Sequence, residues 1–350
     1  MLNKSAVYKR NLDIVLEALP DIVALKGKSI LITGATGMIG SMLVDLLLYA
    51  DKEYGYDISV YAMGRSLKRL ESRFATYSGD KNLHFVEHNV IEPLQMSEEV
   101  DFIIHAASNA HPTAYATDPV GTLLGNVVGM KNMLELARER KSSRVVYVSS
   151  GEVYGQLGEE DIPISEEKSG YVNPTEARSC YPSGKRAAET LCVAYSQQYD
   201  MDTVIVRPSH VYGPTATRED SRASTQFVNN AMNHQDIVMK SDGLQQRSYC
   251  YVADCICAIM TVLLRGKRAE AYNIANSKSN VTIREFAEKV SAYGNVAILF
   301  ENPEDNEKKG YTPITRAVLD ATKLAGLNWS GRFDIDSGIQ NTLNILKEIL

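Results

Sequence analysis

Apolar and polar positions along the chain fall into two alternating rhythms. The run Ser29-Ile30-Leu31-Ile32 is short and apolar or β-tolerant, as a buried parallel strand requires. After a glycine-rich interval comes Ser41-Met42-Leu43-Val44-Asp45-Leu46-Leu47-Leu48, long enough for a helix packed on that strand. The alternation continues, with further strands expected at 58–63, 84–90, 100–105 and 145–148. Helices are expected over 119–140 and from 181 through Ala187, Ala188, Leu191 and Ala194. In the first of these, Val120, Leu123, Leu124, Val127, Val128, Met133, Leu134 and Leu136 fall mostly on one side. Residues 11–26 carry helical spacing broken at Pro20, which predicts two short amphipathic helices docked on the outside of the domain. Strands alternating with helices place the chain in the α/β class.

Composition narrows this picture. At 350 residues the chain can form one large α/β domain with a smaller lobe, or two domains. Its 44% hydrophobic and 23% charged residues are ordinary for a globular protein. A formal charge of -6 argues against a nucleic-acid partner, though a local basic pocket for a phosphorylated substrate is compatible with it. The longest apolar runs fall short of a membrane span, and Met1–Ser5 carries no signal-peptide core. The five cysteines, at 180, 192, 250, 255 and 257, have no metal-ligand spacing and read as reduced, mostly buried thiols. The expectation is a cytoplasmic protein with no membrane partner and no metal.

Between the first strand and the first long helix stand Gly34, Gly37 and Gly40, with Thr36, Met38 and Ile39 completing the turn. One glycine permits backbone angles closed to other residues, a second lets the main chain approach a pyrophosphate, and a third lets helix and strand pack closely. The helix N-terminus adds free N–H groups and the positive end of its dipole. A glycine triplet alone also fits an ordinary turn; its position between strand and helix favours dinucleotide binding.

The other strand ends fit such a ligand. After the second strand comes Gly64-Arg65-Ser66, where an acidic residue would hold the ribose 2′-hydroxyl of NAD and an arginine accommodates a 2′-phosphate. The acid is absent, so NAD is expected with NADP tolerated, unless Arg65 only stacks on adenine or lies in solvent. Asn89-Val90 could meet the adenine edge, and the small Ala106-Ala107-Ser108 would let the backbone pass close to the cofactor. His105 and His111 lack partners at metal-ligand spacing and read as structural or pocket-lining.

The fifth strand delivers Ser149-Ser150-Gly151-Glu152 at its C-terminal end, where open α/β sheets carry their chemistry. Tyr181 and Lys185, four apart, share a helix face. An ammonium there can lower the phenol's pKa and hold a cofactor ribose, so that the tyrosine exchanges a proton near neutral pH. The same spacing also occurs on plain solvated helix faces.

Taken together, Gly34, Gly37, Gly40, Ser150, Tyr181 and Lys185 resemble the extended short-chain dehydrogenase/reductase family, in its sugar-nucleotide epimerase, dehydratase and decarboxylase branch. Asn126-Val127-Val128-Gly129, Arg207–Pro214, Asp242–Tyr249, Tyr251–Asp254 and Tyr272–Asn276 extend the resemblance over nearly the whole chain beyond residue 28. It implies a Rossmann-type doubly wound parallel sheet with a smaller α/β C-terminal lobe. Residues 28–207 with 247–277 would carry the dinucleotide, 208–246 with 278–350 the sugar nucleotide, and 1–27 a helical extension. The implied partners are a nucleoside-diphosphate sugar and a second copy of the chain, paired through helices 119–140 and 181–199. The resemblance places Asn126 among the cofactor contacts and His111 in the sugar pocket. It has Tyr181 take the sugar O4 proton while C4 is oxidised, with Ser150 bonded to O4 and Lys185 tuning Tyr181.

The branch turns on a few positions. Glu152 matches a glutamate of the dehydratases that the UDP-glucuronate decarboxylases keep. Before it, where dehydratases place an aspartate and decarboxylases a serine or threonine, stands Gly151. Arg178-Ser179-Cys180-Tyr181 and Gly184–Leu191 resemble the decarboxylases, and Arg247 matches an arginine that they place near sugar and diphosphate. Glu152 could instead be a polar strand end, and Arg247 a structural ion pair. His210 stands where the family often has asparagine contacting the sugar nucleotide. The leading expectation is a decarboxylase of this branch, followed by a C4 epimerase or 4,6-dehydratase. Gly151 and His210 keep open a non-catalytic, cofactor-binding regulatory module.

Overall fold

A computed structural model describes residues 2–302 and 314–350. At its centre lies a parallel sheet in which β1 (Ser29–Thr33), β2 (Ser59–Gly64), β3 (Leu83–Glu87), β4 (Phe102–His105), β5 (Arg144–Val148), β6 (Thr203–Pro208) and β10 (Ala271–Ile274) stand in the order β10-β6-β5-β4-β1-β2-β3. The chain builds outward from β1 through β2 to β3, then returns to lay β4 on the other side of β1. The crevice at that reversal is where ligands bind in such sheets.

Strand alternation explains the two layers flanking the sheet. Ile30, Ile32, Ile104, Val146, Val204 and Val206 point into a core shared with α2 (Met38–Tyr54) and α8 (Val252–Arg265). Their neighbours Leu31, Ile103, Val145, Tyr147 and Ile205 face the opposite core, with Met130, Met133 and Leu134 of α5 (Pro119–Arg140) and Ala188 of α6 (Cys180–Tyr199). A one-residue slip of any strand would exchange the two sets.

Several expectations need correction. The third strand ends at Glu87, which leaves Asn89 and Val90 in the turn beyond it. The N-terminal segment forms α1 over Ala6–Glu17 and a 3-10 helix over Pro20–Leu25, with Pro20 at the first position. It does not merely dock outside: Tyr8, Leu12, Leu19 and Leu25 belong to the main core. The Tyr8 hydroxyl donates a 2.6 Å bond to buried Asp45, which also pairs with Arg73. The apolar residues of α5 do not share one buried side either, because Val120, Leu123 and Leu124 are exposed.

A second sheet is organised on β9 (Gln246–Tyr251), which pairs in parallel with β7 (His210–Tyr212) and β13 (Arg316–Ala317) and antiparallel with β11 (Asn280–Thr282). Its β7 follows β6 after the single residue Ser209. Beside it, β8 (Ile237–Met239) pairs with β12 (Ile298–Phe300). Among the described residues, no helix is long and apolar enough to cross a membrane, and no group of His, Cys, Asp and Glu is placed to hold a metal ion.

Candidate active site

The glycine turn is built by close approach. Gly34 has φ +67°, and a Cβ there would stand 2.8 Å from the Ala106 carbonyl oxygen and the Ala107 Cα. A Cβ on Gly40 would stand 2.3 Å from the Gly34 carbonyl oxygen. These glycines let the turn fold against the end of β4, while Gly37 caps α2 with its first N–H groups facing the crevice. Thr33 Oγ1 accepts from the Ala107 N–H at 3.1 Å and lies 2.8 Å from His105 Nδ1. Burial, helped by the charge of Lys185, lowers the His105 pKa to about 3, so this ring stays neutral and buttresses the sheet.

The other cofactor candidates rim the same crevice. Ser108 Oγ donates to Asn126 Oδ1 at 3.0 Å, and a Cβ on Gly184 would lie 3.2 Å from Asn126 Cβ, so α6 packs close to α5 here. Asn132 holds the Val90 carbonyl at 2.9 Å, and the His88 N–H bonds the Gly64 carbonyl at 2.9 Å. Ser66 caps the helix Leu67–Arg73, and Arg65 beside it is exposed with no hydrogen bond or ion pair among the described residues. The turn Gly34–Gly40, with Thr36, Met38 and Ile39 in it, thus faces a continuous rim of strand ends. The turn fits a dinucleotide, because glycines at 34 and 40 let it pack tightly on the end of β4 and on itself, and Gly37 opens α2 with no side chain over its first N–H groups.

Deeper in, Lys185 Nζ donates to the Val148 carbonyl at 2.7 Å and lies 5.7 Å from the centre of the Tyr181 ring. Burial lowers the Lys185 pKa to about 7, against the upward pull of Glu189 and Cys192. Tyr181 is pushed up to about 12, mainly by burial and then by the Glu152 charge; a hydrogen bond to Ser150 and the cations Arg222 and Arg178 act the other way. The charges of Arg222 and Arg178 thus add to whatever Lys185 contributes to the phenolate. Ser150 also accepts from the Glu152 N–H at 3.2 Å, and so caps the 3-10 helix Gly151–Tyr154.

Around Tyr181 the fold assembles groups that sequence reasoning missed. Glu152 accepts from Arg178 through both oxygens, at 3.0 and 2.8 Å. The Arg178 guanidinium lies 4.4 Å from the centre of the Tyr115 ring, which stacks on Tyr181 at 4.7 Å. Arg222 bonds Asp220, the Val211 carbonyl at 3.1 Å and Met38 Sδ at 3.6 Å, and so ties the glycine turn to this corner. Arg178 lies within the stretch singled out before Tyr181, but nothing local assigned it a partner. Tyr115 and Arg222 had no sequence signal at all.

The remaining sugar-side candidates are less uniform. His111 caps the helix Pro112–Thr117, with Nδ1 3.4 Å from Ser221 Oγ. Burial, with the charges of Arg247 and Arg222, lowers the His210 pKa to about 3, and its Nδ1 has no partner among the described residues. Arg247 is only 2% exposed and bonds the carbonyls of Gln246, Thr315 and Ile314, although it still acts electrostatically with Glu152. A Cβ on Gly151 would lie 3.2 Å from Leu319 Cδ1.

Comparison with known proteins places this geometry. The family model for the NAD dependent epimerase/dehydratase family matches residues 30–275. UDP-glucuronic acid decarboxylase 1 of Xenopus tropicalis is 32% identical over 330 residues, spanning 92% of this chain and 73% of that protein. UDP-glucuronic acid decarboxylase 5 of Arabidopsis thaliana is 35% identical over 291 residues, 82% of each chain. Among solved structures, epimerase Mth375 of Methanothermobacter thermautotrophicus superposes with a TM-score of 0.80 at 22% identity, over 95% of both chains. The dTDP-glucose 4,6-dehydratase DesIV of Streptomyces venezuelae, with NAD and TYD bound, gives 0.78 at 24% identity, over 91% of this chain and 97% of that one. These two likenesses establish the fold.

Proposed function

The chain belongs to the NAD dependent epimerase/dehydratase family, and from that premise we propose that it oxidises C4 of a nucleoside-diphosphate sugar and decarboxylates UDP-glucuronate. The turn Gly34–Gly40, Ala106–Ser108, Asn126, Tyr181 and Lys185 would hold NAD, with Gly64–Ser66 and Asn89-Val90 toward its adenosine end. When bound, NAD supplies a reversible hydride acceptor for C4. Tyr181 takes the proton of O4, Ser150 keeps O4 in hydrogen-bond reach, and Lys185 holds the ribose. A carbonyl at C4 turns the uronate into a β-keto acid. The C5–C6 electrons then flow toward O4, where the Tyr181 and Ser150 hydroxyls meet the developing charge.

One observation carries this reading: the phenol of Tyr181 stands beside Ser150 in one corner with Glu152, Arg178 and Arg222. A proton acceptor beside clustered guanidinium groups suits an anionic sugar. The dehydratase alternative is disfavoured at Gly151, where apolar Leu319 faces the position that would supply the acid. Incubation with UDP-glucuronate, UDP-glucose and dTDP-glucose, followed by product masses, tests the reading. Loss of carbon dioxide from UDP-glucuronate is expected; loss of water, an unchanged mass or no reaction overturns it in favour of a dehydratase, an epimerase or a binding module.

Finer features belong to the same proposal. Arg65, exposed beside the second strand's end, leaves room for a 2′-phosphate and hence for NADP. Residues 208–246 and 278–350, of which 303–313 lie outside the described residues, would form the lobe over the sugar nucleotide. Exposed Val120, Leu123 and Leu124 on α5 support pairing of two copies through α5 and α6.

A further inference from the structure

Glu152 lies in the reacting corner, since its charge acts on Tyr181, Tyr115 and Arg247. A carboxylate there has two possible uses once C4 is a ketone, because the C5 proton is then acidic. It can remove that proton, or it can leave C5 untouched while the C5–C6 bond breaks. Arg178 bears on this choice. Its Nη2 donates to both Glu152 oxygens, its guanidinium lies over the Tyr115 ring, and only 16% of its side chain is exposed. The arginine comes from the turn preceding α6 and the glutamate from the 3-10 helix after β5, so the pair also ties together the two segments that carry Tyr181 and Ser150. A cationic donor nitrogen set between both oxygens draws one lone pair of each toward the guanidinium.

We propose that Arg178 is a positioning residue that withholds Glu152 from the C5 proton and so commits the 4-keto sugar to decarboxylation. This rests on the functional reading above. In the committed path the C5–C6 bond breaks, carbon dioxide leaves, the electron pair forms the C4–C5 enolate, and a proton then adds to C5. In the suppressed path the C5–H bond breaks instead. The proton passes to a Glu152 oxygen, the pair forms the corresponding enolate with the carboxylate retained, and a solvent proton returns to C5. Return of the hydride to C4 and of a proton to O4 then gives a pentose from the first path and, from the second, a uronate carrying solvent hydrogen at C5, on either face.

The test is turnover of UDP-glucuronate in deuterium oxide, stopped at partial conversion, with deuterium at C5 of the recovered uronate read by NMR and mass. The wild-type protein is expected to return uronate with little label. Arg178→Gln should raise that label about tenfold, the factor that a hydrogen bond to a charged group is worth. Adding Glu152→Gln to that variant should abolish the rise. Should the glutamine variant fail to fold, Arg178→Met serves, because it keeps an apolar stem against Tyr115 and removes the donor nitrogen; its label must rise too. Label at the wild-type level in a variant that still oxidises C4, or a rise that survives Glu152→Gln, overturns the assignment. A wild-type protein that leaves UDP-glucuronate unchanged overturns the functional reading itself, an outcome separable from any variant result.

Discussion

Lys185 reaches back from α6 to the carbonyl of Val148, the last residue of β5, at 2.7 Å, and in doing so buries its ammonium completely. This bond sets the depth at which Tyr181, one turn earlier on the same helix, meets the strand end carrying Ser150. It also makes the lysine's protonation part of the folding equilibrium.

Burial lowers the Lys185 pKa to about 7 from an ordinary 10.5. Between those values the unfolded chain binds a proton that the folded chain does not, so stability rises with pH across that window. Below it the cost of the buried charge is fully present, on the scale of about 1.4 kcal/mol per pKa unit. Lys185→Met should remove this slope, gaining most over the wild-type protein below pH 7 and least near pH 10. Denaturant titrations of both proteins across that range provide the check; parallel profiles would refute the assignment.

Tyr181→Phe removes the proton acceptor while keeping the ring that stacks on Tyr115. Oxidation at C4 should fall by about 10²–10⁴, the usual contribution of a general base, with dinucleotide affinity little changed. Rapid-mixing absorbance of the reduced cofactor reports the first quantity and calorimetry the second. Unimpaired oxidation would rule the phenol out.

Gly40→Ala drives a methyl group to 2.3 Å from the Gly34 carbonyl oxygen, a backbone atom that cannot swing aside. The expected cost is about 1–3 kcal/mol of stability, typical of overpacking, with loss of dinucleotide binding as the turn opens. Thermal unfolding with and without NAD measures both effects.

Arg65→Ala touches an exposed residue without a partner among the described residues, so its stability effect should stay within about 0.5 kcal/mol. Binding of NADP should weaken far more than binding of NAD. Equal losses would mean that this arginine does not read the 2′ position.

Tyr8→Phe deletes the hydroxyl that donates to Asp45 in the core. Asp45 keeps Arg73, so the cost should be about 1 kcal/mol, the usual net worth of one hydrogen bond. A shift in the denaturant midpoint would show that the N-terminal helix folds as part of the domain.

What the sequence determined by itself was whatever depends on neighbours along the chain. The apolar run into Thr33, the glycines at 34, 37 and 40, and the helix after them fix their own conformations through steric limits and periodicity, and they stand as expected. The spacing of Tyr181 and Lys185 likewise guaranteed a shared helix face. Only the tertiary structure decided which distant groups meet there. Arg178 gripping Glu152, Tyr115 lying between Arg178 and Tyr181, Arg222 reaching Met38, and Arg247 spending donors on the carbonyls of Gln246, Thr315 and Ile314 join separate segments. The same holds for Tyr8 entering the core and for Val120, Leu123 and Leu124 staying outside it. Such contacts follow from how whole layers pack, and packing couples residues that no local pattern links.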